Sequence, residues 1–110
     1  MSAFLVDGAE ADCPPASIPE GALARELKIV NRKGLHARAS AKLVQTVERF
    51  ASEVTVTRCG ETVGGRSIMG ILTLGAAQGT TITVTAKGED AEACLGAIAG
   101  LVAGRFGEDE

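Results

Sequence analysis

Two short runs, Val54-Thr55-Val56-Thr57 and Thr81-Ile82-Thr83-Val84-Thr85-Ala86, alternate aliphatic residues with threonine. β-Branched residues at a period of two read as strands, and that period sends Val54, Val56, Ile82, Val84 and Ala86 to one face and the threonines to the other. Such strands can bury only one side. Parallel sheets are normally covered on both faces, so these strands imply an antiparallel sheet with all helices gathered on its aliphatic face. The threonine face is expected to be wet.

The rest of the chain supplies the other elements. Leu27-Lys28-Ile29-Val30 alternates as a first strand, with Leu27 and Ile29 pointing inward. Cys59-Gly60 turns the chain from a strand over residues 53–58 into a short one over 61–63, a hairpin signal. Ala39, Leu43, Val44, Val47, Phe50 and Ala51 recur in steps of three and four, while Lys42, Gln45, Glu48 and Arg49 take the opposite side, which predicts an amphipathic helix. Ser67 stands where an N-cap belongs, ahead of the short apolar helix Ile68-Met69-Gly70-Ile71-Leu72. Asp90 can cap a last helix with Cys94, Leu95, Ile98, Leu101 and Val102 on its apolar side and Gly104 as its stop. Gly96 and Gly100 weaken that helix but would let it lie close on the sheet. The order is β-α-β-β-α-β-α, and 110 residues with 45% hydrophobic content suit one α+β domain with a small core.

Charge and composition narrow the function. Residues 1–25 hold four acids and one base and residues 108–110 three acids, whereas residues 26–107 hold ten bases against seven acids. A mildly basic body suits a partner with an acidic face. Net charge −3, no tryptophan or tyrosine and only three phenylalanines argue against a nucleic-acid surface. Cys13, Cys59 and Cys94 are odd in number and widely spaced, so neither a disulfide framework nor a metal site is expected. Reduced thiols in the cytoplasm are the simplest reading, with Cys94 in the core. The apolar start is too short for a membrane segment, and Asp7, Glu10 and Asp12 follow it. Residues 1–24, rich in Gly, Ala, Ser and acids, read as a flexible extension; residues 3–6 could pack as a short apolar hook, but a mobile tail is the expectation. Residues 25–107 then form the domain, and residues 108–110 an acidic tail.

The chemistry concentrates in residues 31–43, where a basic loop carrying the only histidine runs into the amphipathic helix. Gly34 breaks regular structure, so the helix should start within a residue or two of His36. A helix N-terminus presents unpaired N–H groups and a partial positive charge that favour an anion. Arg38 adds a fork suited to phosphate oxygens. A nucleophilic ring beside an anion cradle suggests phosphoryl acceptance. Gly64-Gly65-Arg66-Ser67 lacks the lysine of a nucleotide-binding loop, so no nucleotide site is expected.

The string Gly34-Leu35-His36-Ala37-Arg38, continued by Ala-Ser-Ala-Lys-Leu-Val, resembles the active-site segment of the HPr family, histidine-containing phosphocarriers of the bacterial phosphoenolpyruvate-dependent phosphotransferase system. A second string, Ser67-Ile68-Met69-Gly70-Ile71-Leu72 with Leu74-Gly75 and Gln78-Gly79-Thr80, is similar to the family's regulatory-serine helix and following loop. The resemblance covers residues 26–102. It implies an open-faced β-sandwich with four antiparallel strands in order 1-4-2-3 and three helices on one face. It also implies phosphorylation of His36 at Nδ1 by phospho-enzyme I, transfer to a histidine of an enzyme IIA domain, and assistance from Arg38. No cofactor or metal would be required. Ser67 would match the serine modified by HPr kinase/phosphorylase, and Ile68, Met69 and Leu72, rimmed by Lys42 and Arg49, would match the docking patch of a monomeric carrier. An alternative role is a regulatory binding module whose phosphorylation controls partner proteins. Ala39 stands where the family often has proline, which leaves the helix able to start but its first turn less constrained in advance.

Overall fold

The structure is a computed structural model that describes residues 13–110; the reading of residues 3–6, mobile or hooked, lies outside them. Four strands, β1 (Leu23–Lys28), β2 (Glu53–Arg58), β3 (Glu61–Gly64) and β4 (Thr81–Lys87), form one antiparallel sheet in the order β1-β4-β2-β3. Helices α1 (Ala37–Val47), α2 (Ile68–Thr73) and α3 (Ala91–Ala103) join them in the expected sequence. The register places Leu27 opposite Ile82, Val84 opposite Val56 and Ala86 opposite Val54. Aliphatic residues therefore share one face, and Ile29, Leu43, Val47, Val56, Ile71, Ile82, Val84, Ile98 and Phe106 are fully buried against it. The open-faced sandwich is borne out.

Several boundaries move. β1 begins at Leu23, inside the span read as a flexible extension, and ends at Lys28 rather than Val30. The reason is in the pairing: six consecutive residues find partners on β4, after which only Ile29 keeps the ladder, its N–H donating to Thr80 O and its carbonyl accepting from Gly79 N. α1 stops at Val47, so Phe50 packs on the core from beyond the helix and Ala51 is exposed. Gly96 and Gly100 do not bring α3 onto the sheet, because both are exposed and an added Cβ would meet nothing at either position. The threonine face is drier than expected. Thr57 and Thr85 are buried, and hydroxyl pairs link Thr55 to Thr85 at 2.5 Å and Thr57 to Thr62 at 2.8 Å.

The cysteine reading needs the largest correction. Cys13 and Cys59 form a disulfide, and only Cys94 is a free, buried thiol. Odd number and wide spacing concealed the pair because the bridge depends on position in three dimensions. Cys59 and Gly60 occupy the two-residue hairpin turn with φ of 48° and 83°, the mirror-image turn that matches strand twist. That turn holds Cys59 at the sheet's end, and residues 13–16 lie beside Thr57, Arg58, Thr81 and Thr83 on the threonine face. No helix among the described residues is long and apolar enough to cross a membrane.

Candidate functional site

Between β1 and α1 the chain makes a tight loop that Gly34 shapes. Its φ is +69°, and a Cβ there would meet Ala76 O at 2.5 Å, so both conformation and space exclude a side chain. Leu35 N–H donates to Ala76 O at 2.9 Å, fastening the loop to the one after α2. Asn31, fully buried, donates from Nδ2 to Gly34 O at 2.9 Å and to Glu108 Oε1 at 3.1 Å. Two acceptors on one atom settle which end of the amide points there.

His36 then caps α1, with extended backbone and its carbonyl accepting the N–H of Ser40. Its side chain caps as well. Nδ1 accepts the backbone N–H of Arg38 at 3.2 Å, and Nε2 meets Glu108 Oε2 at 2.5 Å. The ring is partly exposed at 28%. Arg32, Lys33, His36, Ala37, Arg38 and the tail residues Glu108, Asp109 and Glu110 line an open depression of about 540 Å³. Arg38 is exposed, and no described side chain pairs with its guanidinium, which leaves its donors open to an anion.

The acidic tail is thus part of the site. After α3, Arg105 (φ 59°), Phe106 (φ 55°) and Gly107 (φ 81°) are successive left-handed residues, which reverses the chain toward His36. Non-glycine residues resist that conformation, and it persists here because Phe106 is fully buried while Lys42 Nζ donates to Phe106 O at 2.6 Å. Arg32 N–H donates to Glu110 O at 2.6 Å and its side chain pairs with the Glu110 carboxylate. The hydrogen bond from His36, followed by that from Asn31, holds the Glu108 carboxyl below the usual carboxylate range, against the opposing pull of partial burial.

The other candidates are spread along the helical layer. Ser67 caps α2, its Oγ accepting Gly70 N–H at 2.9 Å, and is exposed. Ile68 is 39% and Met69 71% exposed, Leu72 is half-buried, and Ile71 alone of this helix is buried. Arg49 is exposed over the Phe50 ring. Lys42, expected at the rim, donates its ammonium to the Phe106 carbonyl. Asn31, Phe106 and Glu108 were missed from sequence. The one available signal was charge, an acidic tail on a chain with a basic loop. Among the described residues no three His, Cys, Asp or Glu side chains gather as a metal site.

A family model described as the PTS HPr component phosphorylation site matches residues 23–104, a span that includes both helix-capping candidates. The chain belongs to the HPr family. It is 47% identical over 87 residues to phosphocarrier protein HPr of Xylella fastidiosa, covering 79% of this chain and 98% of that one. It is 46% identical over 88 residues to the Cupriavidus necator HPr, covering 80% and 99%. In three dimensions it is similar to the crystal structure of HPr-C-His from Thermoanaerobacter tengcongensis, with TM-score 0.77 and 38% identity over 80% of this chain and 99% of that one. HPr membership makes the chain a phosphocarrier of the phosphotransferase system rather than an enzyme with turnover of its own.

Proposed function

We propose that His36 accepts a phosphoryl group on Nδ1 from phospho-enzyme I and hands it to a histidine of an enzyme IIA domain. The observation that carries this reading is the Arg38 N–H on Nδ1, because only a ring nitrogen with a free lone pair can accept it. When the donor approaches, the Arg38 N–H gives way and that lone pair attacks phosphorus as the donor's bond to phosphorus breaks and its electron pair returns to the donor. The new phosphoryl oxygens then sit where the first-turn N–H groups and Arg38 offer positive charge. A partly exposed ring in an open depression suits a group that must leave again.

Ser67 is proposed as the site of HPr kinase/phosphorylase, with Ile68, Met69, Leu72 and Arg49 as docking residues. Two exposed apolar side chains directly after an exposed hydroxyl support both parts. About two negative charges added at Ser67 would oppose an acidic partner on that patch. The test is phosphate incorporation from phosphoenolpyruvate with catalytic enzyme I. Stoichiometric label that is acid-labile, as a phosphoramidate is, and absent from His36→Ala is expected; full labelling of that variant would sink the proposal. A competent enzyme I that leaves the folded chain unlabelled would favour the regulatory binding module.

A further inference from the structure

Glu108 touches the one ring nitrogen that the transfer itself does not use. Its Oε2 lies 2.5 Å from His36 Nε2, its Oε1 takes the amide of buried Asn31, and the left-handed turn anchored by Phe106 and Lys42 aims it there. Nδ1 already accepts an N–H, so in the neutral ring the proton resides on Nε2 and Glu108 is its acceptor. We infer that Glu108 is a positioning residue for phosphoryl transfer, holding His36 in the Nε2–H form that leaves Nδ1 as the nucleophile and stabilising the charge that develops on the ring. This role rests on His36 being the acceptor.

The balance is simple. The Nδ1–P bond forms as the donor's own bond to phosphorus breaks and its electron pair stays with the donor, no proton leaves, and the attacking ring becomes a cation still bearing its Nε2 proton. A carboxylate on that proton stabilises the cation as it forms, on the ring edge away from the incoming phosphoryl group. Onward transfer reverses the change, and the ring departs neutral with the same proton in place. Glu108 therefore orients the ring in both directions, as a carboxylate does for other nucleophilic or basic imidazoles, while its charge favours the phosphorylated form.

His36 is the only histidine, so its ring nitrogens can be read without ambiguity by 15N NMR on the full chain. In the wild type the neutral ring is expected in the Nε2–H form. Glu108→Gln keeps the shape but loses the charge and can turn its amide N–H toward Nε2, so it should admit the Nδ1–H tautomer against the opposing Arg38 N–H and mix the two. It should also slow phosphorylation by phospho-enzyme I about tenfold or more, the scale of one charge-assisted hydrogen bond, with the change in kcat rather than KM. Glu108→Asp should recover part of both effects, which a purely structural role would not require. An unchanged tautomer in Glu108→Gln, or mixed tautomers with an unchanged rate, would overturn the role of Glu108 alone. A wild-type chain that takes no label overturns the acceptor reading and this role with it, while the tautomer measurement still reports on the pair.

Discussion

Two helix N-termini in this molecule are closed in the same way and differ in everything around them. At α1, His36 Nδ1 takes the N–H of Arg38 at 3.2 Å; at α2, Ser67 Oγ takes the N–H of Gly70 at 2.9 Å. Behind His36 stand an eleven-residue helix with five buried positions, a loop fastened to its neighbour, and a tail that returns to grip the far side of the ring. Behind Ser67 is a six-residue helix with one buried position and two exposed apolar side chains. One end holds its ring in one orientation, as the proposed acceptor role requires. The other presents an exposed hydroxyl beside the apolar side chains proposed for docking.

Removing the capping side chains should break the comparison most clearly. His36→Ala is expected to abolish acid-labile label from phosphoenolpyruvate and enzyme I, whereas Ser67→Ala should retain it in the same assay. Next in size is the support behind the first site. Phe106→Ala should cost about 3–5 kcal/mol by denaturant unfolding, the range for an aromatic removed from a core, and release Glu108 from His36 as read by the ring 15N shifts. Ser67→Ala should cost only about 1 kcal/mol in the same unfolding measurement, the usual loss of a serine cap.

The third helix N-terminus sharpens the contrast and carries the smallest effect. Asp90 precedes α3 but makes no side-chain bond to it; its carboxylate instead accepts from Ser52 Oγ, Ala51 N–H and Ser52 N–H in the turn before β2. The Ser52 hydroxyl first, and the Ala51 N–H next, hold the Asp90 carboxyl below its ordinary value. A lowered folded value means that this contribution is present at neutral pH and lost as pH falls through that value. Asp90→Asn should therefore be less stable near pH 7 but lose less than the wild type on acidification, which urea midpoints measured from pH 7 to pH 3 would check.

Reading the helices from sequence worked where spacing was the cause. The faces of α1 and α3 follow from Leu43, Val47, Ile98 and Val102 recurring at the helical period, and Gly34 marked the loop because few other residues tolerate its conformation. Asp90 does stand ahead of α3, as its position in the sequence implies, but it does not take that helix's N–H groups as partners. A cap is chosen by whichever donors lie nearest, and those of Ala51 and Ser52 arrive from another part of the chain. Cys13 and Cys59 are 46 residues apart, and nothing local in the sequence pairs them.

By itself the sequence determined the one-sided sheet, the helix order, and His36 at the start of a helix beside Arg38. These depend on interactions within a few residues: the two-residue alternation of strands, the three- and four-residue steps of helices, and the conformational freedom of glycine. Only the tertiary structure decided that Glu108, 72 residues from His36, bonds its ring, and that Lys42 and Phe106 hold the turn that brings it there. Such a contact needs the core to form first. Burying Phe106 is what makes a left-handed turn of two non-glycine residues tolerable, and no pattern along the chain announces it.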